Sequence, residues 1–246
     1  MGRSRARPPQ VRGGGVAARG VDGAVPGRSP RWEVRVRAGA GLRASSLALG
    51  GGATFDGREA QVSVIYGERV RLRAVEREDV PKFHEWVNDP EVTLGLSLFL
   101  PMSLRDEETW FENLAKREPE EKPLAIEMRD GEGWRLIGNG GLFSIDHVAG
   151  SGEVGIMIGD KSAWNRGFGT EALNLLLRHG FETLNLNRVF LRVYADNLRA
   201  VRSYQKAGFV HEGTMREAVF KRGKYGDLHF MSVLRKEWEG RKKENP

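Results

Sequence analysis

One stretch constrains the fold more than any other. From Glu153 to Glu171 the chain reads E-V-G-I-M-I-G-D-K-S-A-W-N-R-G-F-G-T-E. An apolar strand runs into a glycine-bearing loop, and the loop opens a helix. That order places uncompensated backbone N–H groups at a helix N-terminus, where they and the helix dipole suit a pyrophosphate. Gly167 and Gly169 leave room for close approach, and Arg166 can add a charge-assisted contact. The pattern is neither a phosphate loop of the Gly-Lys-Ser/Thr kind nor a dinucleotide fingerprint, because the lysine and the third glycine are missing. Alone, it is more often the signature of an ordinary turn.

The surrounding periodicities describe a mixed α/β layer. A strand spans 64–75, with Val70 and Leu72 alternating with Arg69, Arg71 and Arg73. Asp79 is placed to cap a helix carrying Phe83, Trp86 and Val87, which stops near Asn88-Asp89-Pro90. A second helix starts after Ser103. Glu107 and Glu108 lie in its first turns, and Trp110, Phe111 and Leu114 face inward. Strands follow at 124–128, 135–144 and 153–158. An amphipathic helix over 169–183 has apolar positions at Ala172, Leu173, Leu176, Leu177 and Phe181. A strand at 188–194, a helix at 197–207 ended by Gly208, and strands at 209–219 and 225–234 complete the order.

Charge divides the chain. The net charge is +6 over 246 residues. Residues 1–60 hold 11 Arg, no Lys and 4 acids, so the rest is close to balance at −1. Residues 1–61 are Gly- and Arg-rich without clear hydrophobic periodicity, and are expected to be a disordered extension. Three readings of that segment stand side by side: a targeting peptide, a basic arm, or upstream sequence translated from a start chosen too early. The composition fits the third best. The expected folded domain is 62–240, with a charged tail at 241–246. The chain has no cysteine, which excludes disulfides, thiolate metal sites and a cysteine nucleophile. The five histidines lack ligand spacing, so no metal is expected.

A second stretch joins the first. Asn197 to Phe209 reads N-x-x-A-x-x-x-Y-x-x-x-G-F and follows a strand one helix after the glycine loop. With W-N-R-G-F-G-T-E-A at Trp164–Ala172, it resembles the GNAT N-acetyltransferases in residue type, order and spacing. The resemblance runs from about Tyr66 to Trp238. G-E-R-V-R-L-R at Gly67–Arg73, W-V-N-D-P-E-V at Trp86–Val92 and E-G-x-x-R-E at Glu212–Glu217, followed by Tyr225-Gly226-Asp227, resemble the RimJ/RimL-like branch. The chain has Trp164 where the wider superfamily often has Gln or Arg.

The resemblance implies a single acyl-CoA N-acyltransferase domain, with a central mixed, splayed sheet flanked by helices. It implies direct acetyl transfer from acetyl-CoA to a primary amine, either a peptide N-terminus or a polyamine- or aminoglycoside-like small molecule. The expected cofactor-binding residues are Ile156, Met157 and Ile158 on the strand; Trp164, Asn165, Arg166, Gly167, Phe168, Gly169 and Thr170 in the loop; and Asn197 and Tyr204. A backbone N–H near Ile156 or Met157 would stabilise the oxyanion. Tyr204 is the candidate proton donor to the thiolate. Glu153 is the candidate base, with Glu212 weaker. A non-catalytic acyl-CoA-binding module is the alternative, and nucleic-acid docking through residues 1–60 a third reading. A membrane partner is not expected, nor is nucleic acid. The state would be monomer or homodimer. The simplest location is the cytoplasm, where the acyl donor is made.

Overall fold

In the computed structural model, residues 64–244 are described. The expected extension at 1–61 lies outside the described residues. The order is β1 (Ile65–Tyr66), β2 (Val70–Ala74), α1 (Val80–Val87), α2 (Leu104–Leu114), β3 (Leu124–Asp130), β4 (Gly133–Asp146), β5 (Ser151–Ile158), α3 (Phe168–Arg178), β6 (Arg188–Tyr194), α4 (Leu198–Ala207), β7 (Val210–Lys221), β8 (Lys224–Leu234) and α5 (Arg235–Glu244). The eight strands form one sheet in the order β1-β2-β3-β4-β5-β6-β8-β7. Every neighbouring pair is antiparallel except β5 and β6. The fold is the expected mixed α/β layer around a splayed sheet.

α3 anchors the core. Its spacing puts Ala172, Leu173, Leu176 and Leu177 on one face, each at most 1% exposed. They join Ile126, Ile137, Val189 and Leu191 in one apolar cluster. Burying a side chain of this size contributes about 1.5–3 kcal/mol. A charge at Leu177 would therefore disrupt the fold. The helical reading through 183 needs one amendment: after Arg178 the chain widens into a π-helical turn, His179–Thr183. There Gly180 lies against Leu142 and Val189, close enough that a Cβ would crowd both.

Some local expectations changed. The first strand is two, because Gly67–Arg69 turns between β1 and β2. Asp79 does not cap α1 through its side chain. Its carboxylate accepts the Glu76 N–H at 2.8 Å and both Arg73 Nη atoms at 2.7 and 2.8 Å. Arg71 and Arg73 are half-buried, sharing the buried Glu127. Arg71 and Arg73 therefore form an ion network with Asp79 and Glu127, and the carboxylates hold Arg73 well above the usual guanidinium range. α2 starts after Ser103 as expected, and Ser103 caps it, its hydroxyl accepting the Asp106 N–H. Glu107, in the first turn of α2, is buried. α5 was not expected. It places Trp238 against Phe181, with ring centroids 5.3 Å apart, and Arg241 donates to the Lys206 carbonyl at the end of α4.

Candidate active site

The site starts where a parallel pair fails. β5 and β6 share register only at Ser151–Arg188, Gly152–Val189 and Glu153–Phe190. β5 continues to Ile158 against β4, and β6 continues to Tyr194 against β8. Their facing edges therefore separate past Glu153, as expected, and leave backbone groups with no strand partner on that side. A cavity of about 430 Å³ lies in this wedge. Ile156, Met157 and Ile158 form one wall, Val193 and Arg192 another.

The glycine loop closes one end. Gly167 is the residue before α3 and holds φ +87°, a left-handed value costly for any residue with a Cβ. It has no side chain to cap the helix. The amides of Phe168, Gly169 and Thr170 have no acceptor within α3, since the first helical bond is Glu171 N–H to Gly167 O at 3.0 Å. The helix is anchored by Glu171, whose carboxylate accepts the Arg69 and Val70 N–H groups at 2.7 and 3.0 Å. Trp164, Asn165, Gly167, Gly169 and Thr170 all line the cavity. The Trp164 indole donates to the Ile158 carbonyl at 2.8 Å, so its ring extends the β5 wall. Two expected residues are not in the lining. Phe168 is buried beneath the loop, with Arg69 and Arg166 over its ring at 5.0 and 5.1 Å. Arg166 is exposed outside it.

α4 forms the remaining side. Asn197 caps it, accepting the Ala200 N–H at 3.2 Å, and Gly208 ends it at φ +98°. Asn197 and Tyr204 both line the cavity. The Tyr204 ring meets Phe209 edge-on, with centroids 5.8 Å apart, and burial pushes its phenol up to about 12. Ser203 and Thr170 join α4 to α3 through hydroxyls 2.9 Å apart. Sequence reasoning missed the basic stripe. Arg199, Arg202 and Lys206 share a helix face at i, i+3 and i+7, and with Arg192 they put four cations in the lining. Among the described residues, no carboxylate lines it. A near-neutral body thus hides a strongly basic cleft. The Arg199 guanidinium stacks 3.6 Å from the Trp164 ring centroid.

The expected bases are engaged elsewhere. Glu153 holds Arg192 through both oxygens, at 2.9 and 3.0 Å, and lies outside the lining. That bond raises the Arg192 guanidinium. Glu212 accepts from Arg188 and from the Ser232 hydroxyl, and Arg188 holds it below the usual carboxylate range. The cavity's outer wall comes from the connection between α1 and α2, through Val92, Gly95 and Leu96. Among the described residues no three His, Cys, Asp or Glu side chains gather to hold a metal ion, and no helix is long and apolar enough to cross a membrane.

The sequence pattern of the acetyltransferase (GNAT) domain matches residues 69–210, more than half of the chain. The chain belongs to the GNAT acetyltransferase family. It is an acetyl-CoA-dependent N-acetyltransferase. An uncharacterised N-acetyltransferase, p20, of Bacillus licheniformis is 29% identical over 73% of this chain and 100% of its own length. The spermidine N(1)-acetyltransferase of Vibrio cholerae is 29% identical over 70% of this chain and 97% of its own. A crystal structure of spermidine N-acetyltransferase from Vibrio cholerae, in complex with CoA and spermine, superposes with a TM-score of 0.63. It is 28% identical and covers 70% of this chain and 98% of its own.

Proposed function

We propose that this GNAT enzyme carries acetyl from acetyl-CoA to a primary amine by direct attack inside the β5–β6 wedge. The observation that carries the reading is the wedge itself. Unpaired strand edges, uncapped α3 amides and Tyr204 all border one basic cavity. The α3 amides and the cations would hold the pyrophosphate and other phosphate groups. The edge of β5 would bond the acyl-carrier arm as a strand bonds its neighbour. Asn197 would add a side-chain contact to that arm.

A primary amine, with a pKa about 8 for a peptide α-amine and about 10 for an alkylamine, must lose a proton before it attacks. The neutral nitrogen adds to the thioester carbonyl carbon, and a β5 backbone N–H near Ile156 or Met157 stabilises the oxyanion. The C–S bond then breaks. A phenol raised to about 12 keeps its proton at neutral pH, so Tyr204 can donate to the departing thiolate. The nitrogen's surplus proton passes to solvent or a base, and sulfur gains one. Glu153 was the expected base. With both oxygens on Arg192, its better assignment is to hold that guanidinium at the cavity wall, while the proton leaves through water at the mouth.

The acceptor and the branch belong to the proposal as well. G-E-R-V-R-L-R and E-G-x-x-R-E support a RimJ/RimL-like place, with a peptide α-amine as acceptor. The similarity to spermidine acetyltransferases supports a polyamine. The carboxylates beside the wedge favour the first. Glu153, Glu212, Asp89 and Glu91 are each engaged by Arg or Lys, so a polycation would have to displace those partners. The full chain should release thiol from acetyl-CoA with short peptides bearing a free α-amine, and less with spermidine; it contributes no thiol itself. Faster release with spermidine would reverse the acceptor assignment. The absence of release with any amine, despite acetyl-CoA binding, would favour a binding module.

A further inference from the structure

The outer wall of the cavity is held in an unusual way. Thr93–Leu96 forms a short turn whose own bonds are local, Thr93 N–H to Asp89 O and Leu96 N–H to Thr93 O, both at 3.0 Å. What ties it to the rest of the molecule comes from far along the chain. On its N-terminal side, Lys161, in the loop after β5, pairs with Asp89 and Glu91 at 2.7 Å each. On the other side stands Lys221, at the tip of the β7–β8 hairpin. Its Nζ donates to the carbonyls of Thr93, Leu94 and Leu96 at 2.7, 2.6 and 2.9 Å. An ammonium has three N–H bonds, and three carbonyls take them. The same Nζ lies 4.7 Å from the centroid of the Tyr194 ring, a favourable cation–π distance. The Tyr194 hydroxyl reaches the Ser97 hydroxyl at 3.1 Å.

The held segment closes on the site. Gly95 and Leu96 line the cavity. Gly95 packs so tightly on the cap of α4 that a Cβ would stand 2.7 Å from Asn197 Nδ2. The wall therefore meets the side chain proposed to bond the acyl-carrier arm. A segment with only local backbone bonds is a low-stability element, and here a single ammonium fixes three of its carbonyls at once.

We propose that Lys221 is a positioning residue that latches the Thr93–Leu96 wall against Asn197 at the acyl-carrier cleft. The proposal rests on the acetyl-CoA reading of the wedge. Lys221→Met keeps the aliphatic stem and removes all three donors. It should raise the acetyl-CoA Kd, measured by calorimetry on the full chain, about tenfold. It should also raise the acetyl-CoA KM without lowering kcat, and speed amide exchange at 93–97. Lys221→Arg, which can still donate to several carbonyls, should recover most of the affinity. A wild-type chain that binds no acetyl-CoA would sink the reading of the wedge itself. Wild-type binding with an unchanged Kd and unchanged exchange in Lys221→Met would overturn the latch alone. Should Lys221→Met fail to fold, Lys221→Gln, which keeps only an amide donor, takes its place. A Kd weakened about threefold with faster exchange at 93–97 supports the latch, and no change in either overturns it.

Discussion

At its paired end the β5–β6 junction is crossed by an ion pair, Glu153 of β5 holding Arg192 of β6, and Arg188 of β6 is held in turn by Glu212 of β7, which also accepts from Ser232 of β8. At its open end, a few residues further along, Arg199, Arg202 and Lys206 face a cavity whose lining includes no carboxylate among the described residues. The sheet thus satisfies its charges internally where the strands pair, and α4 supplies cations for a ligand where they part. A net charge near zero over the body follows from adding the two ends together. It says nothing of either one, since only the local distribution steers an anion.

Tyr204→Phe is the sharpest way to test the open end. If the phenol serves the leaving thiolate, kcat should fall about 100-fold, while the acetyl-CoA Kd stays within about twofold by calorimetry. A kcat within threefold of wild type would reduce Tyr204 to a packing residue. The pH dependence follows from the same group. The phenol is functional when protonated, and burial carries it up to about 12. Activity should therefore hold through pH 9–10 and fall only as pH rises further. Burial of the neutral phenol also stabilises the fold fully below about pH 10. That share is lost as pH climbs toward 12, so the wild-type Tm should drop more steeply there than that of Tyr204→Phe.

Gly167→Val tests the loop end. At φ +87° a β-branched residue costs about 1–3 kcal/mol of strain, which in binding is roughly 5- to 150-fold. The acetyl-CoA Kd should weaken by that order as the α3 amides tilt away. An unchanged Kd would mean that the amides do not contact the phosphates.

How much of this was legible in the sequence differs between the two ends. β6 was read at its observed bounds, and α4 with both caps, because Asn197 and Gly208 are local signals that need no tertiary context. The apolar face of α3 was equally plain from its spacing. The ion network of Arg71, Arg73, Asp79 and Glu127 was not, since β2 and β3 meet only in three dimensions across some fifty residues. α5 was hidden because its sequence is almost wholly charged, and only Trp238 carries the apolar contact that docks it. The basic stripe on α4 could have been found: Arg199, Arg202 and Lys206 fall at i, i+3 and i+7. Lys221 could not, because nothing local says that its ammonium meets three carbonyls more than 120 residues earlier.

Glu153 gives the smallest predicted effect and the cleanest division between the ends. As a base it would be worth about 100-fold or more in kcat. As the partner of Arg192 it supports a cavity wall, and a paired carboxylate at a partly exposed site contributes about 1 kcal/mol or less. Glu153→Gln keeps the shape and one acceptor oxygen for the guanidinium. The expected kcat/KM loss is therefore under tenfold, with the acid limb of the pH–rate profile unmoved. A loss of 100-fold with that limb abolished would carry proton removal back to the paired end. The division of labour would then fail, with the stitching carboxylate also doing the chemistry.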